Sequence, residues 1–298
     1  MDNAITRRGF GQWIGGALAT GSALAGTAAQ AQGTITAAQA VDRIKAKLAG
    51  EGVVWRSSNF DGFKMGDPNV TLTGIATCFQ PTFSVLRRAA VAGKNFVISH
   101  ECAFWDGFDP IEVVKDDPVA KAKIRFVEQN KMAVWRIHDH WHARKPDPIF
   151  QAIAQKLGWA SYYSDVRPRH YSIPEMSLEE VARHIQNRLE TKNVVVVGDP
   201  KLRVKTIGDQ SHILSTVLPG LRNLDAVMVG ETPQQDTFEY VRDAVALGQK
   251  KAVVMISHER LEEWGMEAFV GWFKPSVPEV PIEWISSGDP FYVPPVKA

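Results

Sequence analysis

The run Val194-Val-Val-Val197 carries no polar residue on either face, so a strand built from it needs cover on both sides. Apolar runs of the same kind lie at 95–99, 132–137, 224–229 and 252–257, with stretches of helical spacing between them. Buried strands alternating with helices predict an α/β fold. Thr36-Ala-Ala-Gln39 and Ser177-Leu-Glu-Glu180 read as capping boxes, opening helices that run to Leu48 and Leu189. Further helices are expected over 83–92 (closed by Gly93), 111–130 (broken at Pro118), 147–157, 236–247, and from 258 through Phe273. Strands are also expected over 70–78, 203–207 and 282–285.

Thr6-Arg7-Arg8-Gly9-Phe10 opens an uncharged, Ala- and Gly-rich stretch that ends in Ala29-Gln30-Ala31. Paired arginines ahead of a mildly apolar stretch with a small-x-small end predict a twin-arginine export signal over residues 1–31. The mature protein is then expected to be periplasmic or secreted, exported already folded. No later segment has eighteen consecutive apolar residues, so no membrane span is expected after signal removal. The formal net charge is +1, from 34 basic and 33 acidic residues, with no basic run longer than two. That balance argues against a nucleic-acid partner. Cys78 and Cys102 are too few for a disulfide framework, and their apolar settings predict two buried free thiols.

Three of the apolar runs end in side chains that bind metals. His100-Glu101 follows the run at 95–99, His138-Asp139-His140-Trp141-His142 the run at 132–137, and His258-Glu259-Arg260-Leu261-Glu262 the run at 252–257. Functional groups in α/β sheets gather beyond the carboxyl ends of strands, so parallel neighbours would bring all three clusters to one cleft. His258 and Glu262, four apart at an expected helix start, face one point. His138 and His142 share that spacing if their turn is helical. His100 and Glu101 are adjacent and point differently, which suits two ions better than one. Imidazole with carboxylate suits zinc, manganese, iron or cobalt, and Glu262 can bridge two ions. A metal-free His/Glu acid–base site is the other reading of these residues. His170, His184 and His212 lack a strand-end context; His184 is expected to be exposed and the other two structural. Trp105, Trp135 and Trp141 read either as core packing or as the wall of a pocket. Asp289-Pro290-Phe291 reads as a turn that returns the tail.

The same segments resemble the Nif-three-like family of dinuclear-metal proteins. The resemblance covers residues 60–292 and is densest in Gly66-Asp67-Pro68, Thr73-Gly74-Ile75-Ala76, 95–101 and 251–262. Gly230-Glu231 and Ser287-Gly288-Asp289-Pro290-Phe291 also match it. The family pattern has an adjacent His-His pair, a later His followed four residues on by Asp, and a C-terminal His-x-x-x-Glu. Here His100 takes the first place of the pair, and Glu101 stands where the second His is expected. His138 matches the later His, and His142 stands where the Asp is expected. His258 and Glu262 match directly. Both departures keep a ligand-capable residue and together preserve the balance of imidazoles and carboxylates. Asp139 and His140 could add ligands or support them. The resemblance implies two closely packed α/β lobes with mixed sheets and the metal site between them. Lobe one is expected over 34–145 and 252–298, lobe two over 146–251. It also implies a homo-oligomer, commonly a hexamer.

These readings converge on a dinuclear centre. Two divalent ions (Zn, Mn, Fe or Co) are expected on His100, Glu101, His142, His258 and Glu262, with His138 and Glu231 in supporting or proton-transfer roles. The expected activity is hydrolysis of a small-molecule substrate. A non-catalytic metal-binding or scaffold homo-oligomer of the cell envelope is the alternative.

Overall fold

The computed structural model describes residues 33–209 and 214–294. The expected export signal and His212 lie outside the described residues. In chain order the first elements are α1 (Ala37–Gly50), β1 (Gly62–Gly66), β2 (Ile75–Cys78), α2 (Phe83–Val91), β3 (Phe96–Ser99), α3 (Ile111–Val114), α4 (Pro118–Gln129), β4 (Ala133–Arg136), α5 (Asp139–His142) and α6 (Pro148–Leu157). There follow β5 (Tyr163–Ser164), β6 (His170–Ser177), α7 (Leu178–Leu189), β7 (Val194–Val197), β8 (Arg203–Asp209), α8 (Leu214–Asn223), β9 (Ala226–Val229), α9 (Glu239–Ala246), β10 (Ala252–Ile256), α10 (His258–Phe273) and β11 (Ile282–Trp284). Both capping boxes form as expected, at Thr36 and Ser177.

The fold is α/β with two mixed sheets. One has the order β1-β4-β3-β2-β11, with β1 antiparallel on β4 and the rest parallel. The other has the order β5-β6-β8-β9-β10-β7, with β8, β9 and β10 parallel and the remaining pairings antiparallel. The strands of the first sheet alternate between two cores. Ile75, Phe96, Ile98 and Trp135 pack with α1 and α10, while Ala76, Cys78, Val97 and Val134 pack with α2 and α4. The second sheet buries Met228, Val254 and Ile256 against α6, α7 and α10, and Val227, Val229 and Val253 against α8 and α9.

Helix α10 joins the two halves. It leaves β10 of the second sheet, and its Met266 carbonyl accepts a hydrogen bond of 2.8 Å from Thr77 Oγ1 on β2 of the first. Glu262, Glu263, Trp264, Gly265 and Met266 are all buried along it. Gly265 is where α6 crosses closest: a Cβ there would lie 2.2 Å from Ile149 Cδ1. Strand β10, at the start of the segment 252–298, therefore pairs within the second sheet, and the chain returns to the first sheet after it.

Several local expectations change. Val194–Val197 is an edge strand and not a fully covered one; Val195 is 49% exposed. It pairs only with β10, so its outer margin lacks a neighbour among the described residues. The strand expected over 70–78 is confined to 75–78, because Thr73 N–H donates to the Asn95 side chain at the bend before it. Pro118 opens α4 behind an Asp117 cap, where its missing N–H costs nothing. Residues 234–238 make a wide π-type turn ahead of α9. Strands β1 and β6 had no clear sequence signal. Cys78 and Cys102 are buried free thiols, as expected. No helix among the described residues is long and apolar enough to cross a membrane.

Candidate metal centre

Parallel pairing aligns the carboxyl ends of β2, β3 and β4, and separately those of β9 and β10. Each chain segment that leaves these ends carries its polar side chains into one cleft. His100 follows β3, His138 follows β4, and His258 opens α10 directly after β10. The turn after β4 is the short helix α5, with His142 N–H donating to the His138 carbonyl at 3.0 Å. The i, i+4 pairing of those two histidines follows from it.

Three imidazoles meet. The ring centroids of His100 and His138 are 4.7 Å apart, and each is 4.9 Å from that of His142. Each has its Nδ1 engaged from behind: His100 by the Ile137 carbonyl at 3.1 Å, His138 by Asp139 at 3.0 Å, and His142 by Asp147 at 2.9 Å. A carbonyl or carboxylate only accepts, so the proton sits on Nδ1 and Nε2 presents its lone pair. On the other side Glu262 Oε2 lies 3.3 Å from His100 Nε2 and 3.1 Å from His258 Nε2. Glu101 Oε1 lies 3.6 Å from His138 Nε2, and its Oε2 is 2.6 Å from the Arg136 guanidinium.

Two overlapping sets of ligand atoms result, His100 with His138 and His142, and His100 with Glu101 and Glu262; within each, all atoms lie within 4.8 Å of one another. His100 Nε2 and Glu262 Oε2 are buried, and neither makes a hydrogen bond of ordinary geometry. Two ligand atoms on one tetrahedral ion stand about 3.3 Å apart, from bonds of about 2.0–2.1 Å. The residues therefore fit a transition-metal ion in both donor type and spacing.

Protonation is uneven across the cluster: the neutral form that binds a metal is favoured at His138, and the charged form at His142 and His258. Burial, with His100 and His142 alongside, lowers His138 to about 4 and keeps it neutral. Burial works against a charged His142, but the hydrogen bond it donates to Asp147, with the charges of Asp147 and Glu262, outweighs burial and raises its pKa. For His258 and Glu262 burial opposes both charges, yet each stabilises the other, so His258 titrates well above its ordinary value and Glu262 well below. Burial would push the Glu101 carboxyl up, but His258, His100 and Arg136 hold it below its ordinary value.

The expected site residues thus come together. His100, Glu101, His142 and Glu262 fall in the two ligand sets, His138 joins the first of them, and His258 stands outside both, against Glu262. Glu231 flanks His258, with Oε2 3.8 Å from its Nδ1. Gly230 permits that approach, since a Cβ there would lie 3.1 Å from Cα and Cδ2 of His258. His140 turns away. Its Nδ1 donates to Asp61, its Nε2 accepts from Arg56 N–H at 2.9 Å, and its ring stacks on Trp55 at 3.7 Å. It pins the 55–61 segment and offers no lone pair to the cleft. Asp139 supports His138 and accepts from Ser58 Oγ at 2.7 Å.

His184 is half-buried, not exposed: it stacks flat on Trp159 and hydrogen-bonds the Leu157 carbonyl at 2.8 Å. His170 bonds the Pro168 carbonyl and has a structural role. Trp135 and Trp141 are core residues, while Trp105 is 51% exposed on the pocket wall. Asp289 turns the tail by accepting from Phe291 N–H and Thr191 Oγ1. Sequence reasoning missed Asp147 and Arg136. The Asp-Pro helix start five residues past His142 was the signal for the first, and the lone charge within the apolar β4 the signal for the second.

A cavity of about 460 Å³ opens beside the cluster, walled by Phe60, Phe79 and Trp105 and bordered by Glu101, His138, Glu231, His258 and Glu259. A larger cavity of about 580 Å³, between α6, α7 and α10, adjoins none of the candidate ligands.

The model of the Duf34/NIF3 (NGG1p interacting factor 3) family matches residues 54–290. The chain belongs to this family. Solved structures share its fold. A Bacillus cereus protein related to NIF3 is 13% identical over 87% of this chain and 99% of its own, with a TM-score of 0.68. The protein ybgI is 19% identical over 86% of this chain and 100% of its own, with a TM-score of 0.66. Reduced HcgD from Methanocaldococcus jannaschii is 18% identical over 85% and 98%, with a TM-score of 0.63. No curated protein matches the sequence. At these identities the NIF3 neighbours speak for the fold alone.

Proposed function

We propose that this NIF3 protein is a dinuclear divalent-metal hydrolase of a small-molecule substrate. The observation that carries the reading is the position of Glu262, whose buried Oε2 faces both His100 and His258. A carboxylate between two imidazoles suits a bridging ligand. The ligands proposed are His100, Glu101, His142, His258 and Glu262, joined by His138. Divalent ions there would supply Lewis-acid polarisation of a substrate oxygen.

The chain's own residues do the rest. Ile137, Asp139 and Asp147 fix the three imidazole orientations. Phe60, Phe79 and Trp105 wall the adjoining cavity and give it an apolar side. Glu231, 66% exposed beside His258, is placed to carry a proton between the cleft and solvent. The open cavity favours catalysis over storage, since a storage site has no need of space for a substrate. We also propose, from sequence alone, that residues 1–31 direct export and that the chain assembles into a homo-oligomer.

Elemental analysis of protein purified without a histidine tag tests the metal reading. About two equivalents per chain are expected, with loss in Glu262→Ala. A screen of ester, amide and phosphoester hydrolysis with the bound metal tests the activity. No uptake after reconstitution overturns the reading; uptake with no turnover of any class leaves a metal-binding protein in its place.

A further inference from the structure

Arg136 is the one charged residue inside β4, and it is 1% exposed. A buried guanidinium needs its donors satisfied. Nε donates to the His100 carbonyl at 3.0 Å, NH2 to Glu101 Oε2 at 2.6 Å, and NH1 to the Gly107 carbonyl at 2.5 Å, with Asp109 Oδ2 at 3.4 Å. It therefore touches the backbone of one candidate ligand and the carboxylate of another. Its far side holds the segment Ala103–Asp109. Asp109 closes that segment by accepting from Ala103 N–H at 2.6 Å and Phe104 N–H at 2.9 Å. Trp105 and Phe108 project from it, and Phe108 stacks on Phe60, which in turn lies over both Arg136 and His138.

The consequence lies in charge. Among the described residues, no Lys or Arg ion-pairs or hydrogen-bonds with a ring nitrogen of His100, His138 or His142; Arg169 sits behind His142 and is paired with Asp147 at 3.5 Å. The set containing Glu101 has a cation on a ligand group itself. Arg136 occupies one of the two Glu101 oxygens and cancels its charge within a buried site, where Coulomb terms are large. A second divalent ion there must compete with a guanidinium for the carboxylate and accept its repulsion as well.

We infer that Arg136 is a positioning residue that makes the two halves of the centre unequal, leaving the Glu101 side weakly filled and tied to the Ala103–Asp109 segment. The inference rests on the metal reading above. As Glu101 turns toward an ion, the guanidinium leans on Asp109, and the segment beside the cavity tightens. Filling of the weak position is thereby reported at the mouth of the pocket.

The test is a Zn²⁺ titration of tag-free, metal-free protein against a chromophoric chelator, combined with amide exchange of peptides spanning 102–110. Wild type should take up its first equivalent about a hundredfold more tightly than its second. Arg136→Met should tighten the second step about tenfold and leave the first unchanged, while Arg136→Lys, which keeps the charge, should stay near wild type. In wild type, exchange at Ala103 and Phe104 should slow with the second equivalent and not with the first. Two equal steps in wild type, or an unchanged second step in folded Arg136→Met, overturns the inference. If Arg136→Met does not fold, wild-type exchange decides alone, and exchange that ignores the second equivalent overturns it. Absence of any zinc uptake in wild type has a different meaning: it overturns the metal reading itself.

Discussion

Oδ2 of Asp147 accepts a hydrogen bond from Nδ1 of His142 at 2.9 Å, while Oδ1 caps α6 through Ile149 N–H at 3.1 Å. One buried carboxylate thus starts a helix and aims an imidazole. Asp147→Asn keeps the shape and removes the charge that makes His142 a strong donor. Metal affinity should fall about 10- to 100-fold, with a small change in Tm. Asp147→Ala should lose the cap as well, about 1 kcal/mol further. Chelator competition and thermal melts of the metal-free proteins measure the two effects separately. Wild-type affinity in Asp147→Asn would remove Asp147 from the centre.

The histidines at 138, 140 and 142 should behave differently although they alternate along one short segment. His140 is 5% exposed, stacked on Trp55 and paired with Asp61, whose carboxylate is fully buried. His140→Ala should destabilise the fold by about 1–3 kcal/mol, because the buried Asp61 carboxylate loses its imidazole donor and keeps only the backbone N–H groups of His138, Asp139 and His140. Metal per folded chain should stay at the wild-type level. His138→Ala should do the reverse. Denaturant unfolding with metal analysis of the folded fraction separates them; equal metal loss in both would contradict the assignment.

Sequence could not make that distinction, and the reason is physical. All three histidines follow β4, and their spacing gives a direction only once α5 is known to be helical. His140 is diverted by Asp61 and Arg56, roughly 80 residues upstream in the chain. Where chemistry and local spacing coincide, as in His258-x-x-x-Glu262, the sequence was sufficient. The strand runs at 95–99, 132–137 and 252–257 were legible because both faces are apolar. Strand β6 was not, since its exposed residues and Pro174 conceal the alternation. Valines 194–197 misled for the opposite reason: apolar composition does not distinguish an edge from a centre, and only pairing does.

Gly230 should be needed for the centre more than for the fold. A Cβ at this position would press on His258 at 3.1 Å, at the first residue of α10. Gly230→Ala should cost about 1–3 kcal/mol as overpacking and shift His258 away from Glu262. Metal content should drop while the far-UV spectrum holds. Full metal occupancy with unchanged affinity would show that the segment yields without moving the ligand.

Lys123 offers a pH test away from the metal. It is 2% exposed, and Nζ donates to the Ala103 carbonyl at 2.5 Å. Burial lowers its pKa from 10.5 to about 8, despite the thiols of Cys78 and Cys102 nearby. Its folded value lies below its unfolded value, so the folded state pays for holding the charge. That penalty is complete below about pH 8 and shrinks as pH rises toward 10.5, above which both states are neutral. Its full size is about 3 kcal/mol, at about 1.4 kcal/mol per pKa unit. Lys123→Met removes the penalty and loses one hydrogen bond, a net contribution of about 1 kcal/mol. The variant should therefore melt higher than wild type at pH 7, and the gap should close or reverse by pH 10.5. Melts of both proteins across that range compare them directly, since other titrating groups are common to both. A gap independent of pH would mean that the amine keeps its ordinary pKa in the fold, solvated despite its burial.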